Sequence, residues 1–108
     1  SQAWYDLYLD SSNARLTIAS GRTMSFDILV VGRTEAGESA GYRITGVIEN
    51  DGGTIDHTST VTTMFEDDLL WNARTVADST YKALSVQVRG NGETIRWVAS
   101  VRTAEVAW

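Results

Sequence analysis

The most constraining feature of this sequence is the one-by-one alternation of polar and apolar residues over long stretches. Successive side chains of a β-strand point to opposite faces, so such a pattern predicts strands with one buried face. No stretch repeats its apolar residues at helical spacing. In TMSFDILVVG, the second face is apolar too, because it carries Leu29 and Val31. The face predicted to be buried consists of Met24, Phe26, Ile28 and Val30.

The next segments continue the pattern. GYRITGVIEN places Tyr42, Ile44 and Ile48 on one face, and the Asp-Gly-Gly signal at 51–53 predicts a tight hairpin turn into IDHTSTVTTM. Four further runs also predict strands, and the turn signals SSN and Asn91-Gly92 predict that they form two hairpins. These runs are WYDLYLD with ARLTIAS, and ALSVQVR with TIRWVASV.

Together with LLWNARTVA, these segments make about eight strands in a chain of 108 residues. The fold class predicted for residues 1–108 is a single all-β domain, an antiparallel β-sandwich that is jelly-roll-like. Proline is absent, which suits regular strands because every backbone N–H can enter a ladder. The segment TEAGESAG is expected to be one exposed, mobile loop.

Composition excludes several classes of function. The formal net charge is −5 and Lys82 is the only lysine, so the chain lacks the clustered cations that bind nucleic acid. No apolar run approaches the roughly 20 residues that span a bilayer, so no membrane insertion is expected. Without cysteine, neither a disulfide framework nor thiol catalysis is available.

Three consecutive carboxylates, Glu66, Asp67 and Asp68, precede the apolar run Leu69–Trp71. A Ca²⁺ site needs spaced acids and carbonyls, which this run does not provide. The acids are therefore interpreted as a polar corner that leads into a strand from Leu69 to Ala73. Whether the corner binds a cation stays open.

His57 is the only histidine and follows Asp56. Adjacent residues of a strand point to opposite faces, so these two cannot form the carboxylate–imidazole contact of a catalytic triad by themselves. No nucleophile elbow or nucleotide-binding motif is present. No catalytic residue, no metal ligand and no cofactor is predicted.

The aromatic residues have two interpretations. In a sandwich most of them belong in the core, as alternation indicates for Trp97, but their flat rings also suit sugar stacking. A 108-residue sandwich cannot easily bury four tryptophans and a strand that is apolar on both faces. The sequence therefore predicts a homo-oligomer or packing against other parts of a longer protein. The residues expected to make such contacts are Trp4, Tyr5, Tyr8, Leu29, Val31 and Trp108.

Several blocks resemble a domain that recurs in structural proteins of tailed bacteriophages, often at the carboxyl end of tail-fibre, tailspike or other virion appendage chains. The resemblance covers most of residues 14–106. Its most specific part is IRWVASVRTAEV, followed by EDDLLW, and the other blocks are SSNARLTI and SFDILVVGRTEAGESAGYRITGVI.

The resemblance implies an all-β, trimer-forming module of the virion that has no catalytic residues of its own. It implies other virion proteins as partners, and host-surface glycan as a further one. Because the sequence begins at Ser1 without methionine, it is expected to be a domain of a longer virion protein or else a small processed one. The leading hypothesis is a non-enzymatic virion structural domain; the rivals are a carbohydrate-binding module of a larger enzyme and a glycan hydrolase or lyase fragment.

Overall fold

The computed structural model describes residues 3–8 and 15–108, and these residues form eight β-strands and no helix. The strands build two antiparallel sheets packed face to face. The predicted antiparallel β-sandwich is therefore confirmed. The strands are β1 (Tyr5–Leu7), β2 (Leu16–Thr17), β3 (Arg22–Arg33), β4 (Ser39–Asp51), β5 (Thr54–Glu66), β6 (Asn72–Asp78), β7 (Ala83–Arg89) and β8 (Arg96–Ala107).

One sheet, here called the long sheet, contains the four longest strands in the order β5-β4-β3-β8. Its strands β3, β4 and β5 follow one another as hairpins, and β8 returns from the other sheet to lie beside β3. This is the Greek-key order that jelly rolls also use. Each of these strands has 12 or 13 residues, so the long sheet gives the molecule its length.

The other sheet, here called the short sheet, is organised around β7. Strand β6 pairs with one edge of β7, while β1 and β2 share its other edge. The short sheet covers one face of the long sheet, and the core lies between them. The fully buried core side chains are led by Trp71, Tyr42, Ile18, Ile28, Ile44, Ile48 and Val30.

Two strand hairpins were predicted wrongly. Both β1 and β2 pair with β7 and not with each other, and β7 and β8 lie in different sheets. The Asn91-Gly92 signal does mark a bend of the chain, in which Gly92 has a φ of 96°. A turn signal reports a reversal of the chain, but the partner of each strand depends on the core it must cover. The predicted SSN turn lies outside the described residues.

The hairpin between β4 and β5 was predicted correctly. Gly52 and Gly53 connect the paired residues Asp51 and Thr54, with φ values of 64° and 98°. Positive φ at both central positions defines the turn whose twist matches antiparallel strands, and glycine adopts it without a steric penalty. The other tight connection, at residues 34–38, is shorter than the loop predicted over 34–41, because Ser39 already begins β4.

Two glycines of the long sheet make room for aromatic rings on the neighbouring strand. Gly46 pairs with Phe26, and a β-carbon at Gly46 would lie 2.8 Å from Phe26 Cζ and 2.0 Å from the carbonyl oxygen of Thr58. Gly32 pairs with Trp97, whose ring would lie 2.6 Å from such an atom. Each ring therefore fills the space that a missing side chain leaves in the inner face.

Trp97 connects this arrangement to the core. Its ring centre lies 6.5 Å from that of Tyr42 and 5.7 Å from that of Trp71, within the range of favourable aromatic contacts. Trp71 is buried and closes the end of the sandwich between β5 and β6. The aromatic residues that sequence analysis considered for sugar stacking thus include three that build the core.

The short sheet does not cover the whole inner face of the long sheet. On β8, residues 103–107 are exposed on both faces, and on β5 residues 61–65 are exposed. These two segments lie at opposite ends and on opposite edges of the long sheet. The short sheet therefore crosses the long one obliquely, as twisted sheets do when they pack.

The close approach at Gly46 gives a test of the fold. Gly46→Ala should lower the free energy of unfolding by about 3 kcal/mol, because the new methyl group meets backbone atoms that cannot move independently. Gly41→Ala is the matched control, since its β-carbon would meet only the flexible end of Met64, at 3.5 Å. Urea unfolding should show little change for Gly41→Ala; equal losses for both variants would contradict the packing described.

Candidate interaction surface

The outer face of the long sheet, which points away from the short sheet, carries most of the exposed apolar side chains that lie on strands. It is formed by every second residue of β3, β4, β5 and β8. Exposure ranges from 44% for Leu29 to 71% for Val98. The group formed by Leu29, Val31 and Val98 lies together at one end of the face, and exposed apolar groups of this kind generally mark a contact site. The large apolar residues of this face are Leu29, Val31, Val47, Met64, Val98 and Val106.

The end of this face that lies nearest the connection between β3 and β4 is the most apolar. Here Val98, Val31 and Gly41 lie side by side on β8, β3 and β4. Gly41 leaves a trough in this row, and the next strand bulges beside it, so that Met64 comes close to the glycine. The bulge interrupts the alternation of β5, which is why the pattern of IDHTSTVTTM did not predict the position of Met64.

An ion pair lies in the middle of the outer face. Arg43 Nε and a terminal guanidinium nitrogen donate hydrogen bonds of 3.0 and 2.7 Å to the two carboxylate oxygens of Asp27. The hydrogen bond from Arg43 is the main reason that the pKa of Asp27 lies below its ordinary value, and Arg102 contributes through its charge. This bidentate pair is satisfied within the monomer.

Two other pairs of charged residues on the outer face are not satisfied. Arg33 lies directly opposite Arg96 on the neighbouring strand, and Glu49 lies directly opposite Asp56. Like charges in directly opposed positions destabilise a sheet. Among the described residues, none of these four side chains forms an ion pair with an opposite charge. The two pairs have opposite signs and lie near opposite ends of the face.

The residues predicted to make partner contacts fall on different surfaces. Leu29 and Val31 lie together on the outer face. Trp108 follows β8 and is fully exposed, and its backbone N–H donates to the carbonyl oxygen of Gly21 at 3.2 Å. The structure does not bring these residues together with Trp4 and Tyr8, which are half-buried on the outer side of the short sheet.

On the short sheet, Trp4 lies beside two arginines. The guanidinium carbons of Arg74 and Arg89 are 4.0 and 4.7 Å from its ring centre, which is cation–π distance. Gln87 accepts a hydrogen bond of 2.8 Å from Arg74 and donates one of 2.9 Å to Asp6. These contacts tie the three-residue strand β1 to the sheet.

Tyr5 and Tyr8 occupy different environments on the same short strand and its end. Tyr5 is 66% exposed at the sheet edge. Tyr8 lies under the guanidinium carbon of Arg15, at 5.2 Å, and Arg15 is also 3.7 Å from the ring centre of Tyr81. Arginine side chains thus already occupy positions beside the aromatic rings of this face.

The acidic corner is bound to its own chain. Glu66 accepts a hydrogen bond of 2.5 Å from the Tyr42 hydroxyl, and Asp67 accepts one of 2.9 Å from the Ser39 N–H. Asp68 accepts hydrogen bonds from the Leu70 N–H and the Asn91 amide, and these bonds hold its pKa below the ordinary value. The three acids therefore terminate β5 and form the turn toward β6.

The strand predicted from Leu69 to Ala73 begins later, at Asn72. Leu69 and Leu70 lie in the turn and are exposed, because the Asp68 side chain bonds to the backbone two residues on and closes a tight turn there. Only Trp71 of the apolar run is buried. Across residues 3–8 and 15–108, no group of three or more acidic or histidine side chains is arranged to hold a metal ion.

A second acidic contact lies near this corner. The carboxyl groups of Glu38 and Glu93 are within hydrogen-bonding distance, and this contact is the main cause of the raised pKa of Glu38. Desolvation and the charges of Glu93, Asp68 and Asp67 raise it further. A proton shared by two carboxyl groups relieves a repulsion that is present when both are ionised.

His57 and Asp56 lie on opposite faces of β5. His57 pairs with the buried Ile48 and is half-buried, whereas Asp56 is exposed on the outer face. The alternation of the strand therefore separates the two groups as predicted.

Within the described part of the chain, no helix is long and apolar enough to cross a membrane.

The contact prediction missed several apolar residues of the outer face. Val98 could have been found, because the alternation that places Trp97 inward places Val98 outward. The same reasoning applies to Val47 and Val106, which alternate with buried or inward-facing neighbours.

Comparison of the chain with protein-family models, curated proteins and solved structures gave no match.

The contact between Glu38 and Glu93 predicts a pH-dependent stability. The folded-state pKa of Glu38 is raised above its ordinary value of 4.5, so its ionised form costs stability, and this cost is relieved as pH falls through the folded pKa. Glu38→Gln should therefore raise the Tm at pH 7, and this gain should vanish below pH 4.5.

Glu35→Gln, in the same hairpin turn, is the matched control because it removes a charge at an exposed position. Thermal unfolding at both pH values measures the effect. A Tm gain for Glu38→Gln that persists unchanged at low pH, or an equal gain for Glu35→Gln at pH 7, would show that the carboxyl contact is not its cause.

Proposed function

We propose that this chain is a non-enzymatic structural domain of a tailed-bacteriophage virion, which associates with copies of itself in a tail fibre, tailspike or particle decoration. In this role it resides in the virion and contacts other virion proteins. Host-surface glycan is a further partner in attachment. The observation that carries the proposal is the exposed apolar outer face of the long sheet.

The outer face supports self-association because the exposure of its apolar side chains to water is unfavourable. Leu29 and Val31 belong to β3, whose other face is buried from Met24 to Gly32, so this part of the strand is apolar on both sides. Keeping such residues exposed has a cost, which burial against another molecule removes. A protein surface is the natural partner, because the face is broad and its single strong ion pair is already satisfied.

The virion assignment rests on the resemblance of particular blocks. The most specific of them, IRWVASVRTAEV, coincides with most of β8, which lies at the edge of the long sheet. The second, EDDLLW, coincides with the turn that ends β5 and begins the path to the short sheet. Both blocks thus lie in an edge strand and a turn that build the sandwich, at the edge of the proposed contact face.

A structural role is also favoured by what the acidic residues do. Glu66, Asp67 and Asp68 each accept a hydrogen bond from the protein itself, and His57 has no carboxylate beside it on its own strand. General acid–base catalysis needs such groups to face a substrate across a cleft. The hydrogen bonds of Glu66, Asp67 and Asp68 instead hold the turn that follows β5.

One observation favours the carbohydrate-binding alternative. Trp4 and Tyr8 lie on the same side of the short sheet, with Tyr81 joined to Tyr8 through Arg15. A glycan that stacks there would have to displace Arg74 and Arg89 from the Trp4 ring. Quenching of tryptophan fluorescence by a soluble glycan, and its loss in Trp4→Ala, would support this alternative over the structural one.

Removal of apolar surface from the outer face tests the proposed function. The double variant Leu29→Ser, Val31→Ser should weaken self-association by about tenfold or more, because each buried apolar side chain contributes on the order of 1 kcal/mol. Sedimentation velocity over a range of concentrations measures the association. The stability of the monomer should change little, since both side chains are exposed.

Leu69→Ser is the matched control, since Leu69 is the most exposed leucine of the described residues but lies in the turn after the acidic corner. It should leave association unchanged. A native chain that stays monomeric at high concentration would contradict the proposal. Labelling of intact phage particles with an antibody against the chain tests the virion assignment separately, and unlabelled particles would overturn it.

A further inference from the structure

The outer side of the short sheet, which points away from the long sheet, carries a cluster of arginine and amide side chains beside Trp4. We infer that this cluster binds an acidic glycan, and that Arg74 and Arg89 hold the carboxylate group of one of its sugars. The inference rests on the attachment to host-surface glycan that is part of the proposed function. It adds the chemical class of that glycan and the residues that recognise it.

Strand pairing brings the members of this cluster together. On β6 and β7, Asn72 lies directly opposite Arg89, and Arg74 lies directly opposite Gln87. On the other edge of β7, Asp6 of β1 is also directly opposite Gln87. The residues that alternate with them on β6 and β7 are buried in the core, so these side chains share the outer side of the sheet.

The two arginines keep most of their hydrogen-bonding groups open to solvent. Arg74 uses its Nε, which donates a hydrogen bond of 2.8 Å to Gln87. Across residues 3–8 and 15–108, Arg89 donates no hydrogen bond to the protein, and neither arginine forms an ion pair. The terminal N–H groups of Arg74 and all those of Arg89 can therefore bind a ligand.

Trp4 holds both guanidinium groups in place. Their central carbons are 4.0 and 4.7 Å from the centre of the Trp4 ring, so the two positive charges are no more than about 9 Å apart. A guanidinium group that stacks on a ring keeps its N–H groups at its own edge, where they can meet an acceptor. The ring thus reduces the freedom that these long side chains lose when a ligand binds.

A carboxylate fits this arrangement. The fork of a guanidinium group donates two parallel hydrogen bonds to the two oxygens of a carboxylate. The side-chain nitrogen of Asn72, which has no partner among the described residues, is a further donor beside Arg89. Two positive charges this close repel each other, and an anion bound between them relieves that repulsion.

The other end of the cluster suits the hydroxyl groups of a sugar. One oxygen of Asp6 accepts a hydrogen bond of 2.9 Å from Gln87, and the other accepts one of 3.4 Å from the Tyr8 hydroxyl. Carboxylate and amide groups exchange hydrogen bonds readily with hydroxyls, whereas Asp6 repels a second anion. The arginine end therefore takes a carboxylate and the Asp6 end takes uncharged hydroxyls, which is the composition of an acidic sugar.

A neutral sugar and a nucleic acid fit the cluster less well. A neutral sugar would stack on an aromatic face, but guanidinium groups already lie over the Trp4 ring. A nucleic acid requires a series of cations along its phosphates, and this chain has a formal net charge of −5. A pair of arginines instead matches a ligand that carries one carboxylate on each acidic sugar.

The cluster stays accessible in the proposed assembly. The apolar contact surface is the outer face of the long sheet, and the Trp4 cluster lies on the opposite side of the sandwich. Copies of the chain that associate through the long sheet therefore present this cluster outward. Repeated copies of a weak site in one assembly strengthen its overall attachment to a surface that repeats the same sugar.

Binding of two acidic trisaccharides, one of galacturonic acid and one of sialic acid, tests the inference. Isothermal titration calorimetry at low ionic strength should detect binding of at least one, and added salt should weaken it, because the contact joins opposite charges. The same trisaccharide with its carboxyl groups reduced to alcohols should not bind measurably. Absence of binding to both acids, or equal binding of an acid and its reduced form, would overturn the inference.

A single substitution tests the residues. Arg89→Gln should raise the Kd of the bound acidic trisaccharide by about tenfold or more, because it removes charge-assisted hydrogen bonds. This variant keeps the contacts of Arg74 with Trp4 and Gln87, and unchanged amide NMR shifts of β1 would show that the sheet is intact. Arg89→Lys keeps the charge without the fork, so it should recover only part of the affinity.

Arg96→Gln is the matched control, because Arg96 is an exposed arginine on the long sheet. It should bind the acidic trisaccharide with the native Kd. A native Kd for Arg89→Gln, or an equal loss of affinity for Arg96→Gln, would show that the Trp4 cluster is not the binding site.

The outcomes separate this inference from the proposed function. A chain that associates with itself but binds neither acidic trisaccharide overturns the inference and leaves self-association intact. A chain that binds an acidic trisaccharide but stays monomeric supports the inference and contradicts the proposed self-association. A triglutamate peptide that binds as tightly as the acidic trisaccharides overturns the inference, since an acidic protein would then fit the cluster equally well.

Discussion

The burial of one face of the long sheet beneath the short sheet is the interaction on which the rest of the structure depends. It removes Ile28, Val30, Tyr42 and Ile44 completely from solvent. Because side chains alternate along a strand, this burial also determines which residues must point outward. Leu29 and Val31 are therefore exposed as a direct consequence of the packing of their neighbours.

The same packing sets the register of the long sheet. Phe26 can cover Gly46, and Trp97 can cover Gly32, only if β3 is aligned with β4 and β8 as observed. A shift of one residue would move the whole buried set to the outer side. The aromatic–glycine contacts thus fix the positions of the charged residues on the outer face, although they lie on the other side of the sheet.

Sequence analysis predicted well whatever depends on local geometry. The alternation in TMSFDILVVG gave the buried and exposed faces of β3, and two glycines in succession gave the turn between β4 and β5. It failed where the partner of a strand is chosen by distant residues. β1 and β2 were expected to pair, but each covers a different part of β7, and β8 leaves β7 to complete the long sheet.

The candidate surface was predicted in part for the same reason. Leu29 and Val31 stood out because β3 is apolar on both sides, whereas the like-charge pairs became visible only through the register of neighbouring strands. Arg33 and Arg96 are far apart in sequence, and nothing local links them. Terminal aromatic residues were weaker indicators, since Trp4 is held by arginines of its own sheet.

The central claim is that the outer face of the long sheet is covered by another molecule in the assembled protein. Hydroxyl-radical footprinting read by mass spectrometry, at concentrations below and above association, measures this directly. The account predicts that oxidation of Leu29, Val31 and Val47 falls on association while that of Leu69 and Tyr81 does not. Protection of Leu69 and Tyr81 with no change at Leu29, Val31 and Val47 would contradict it.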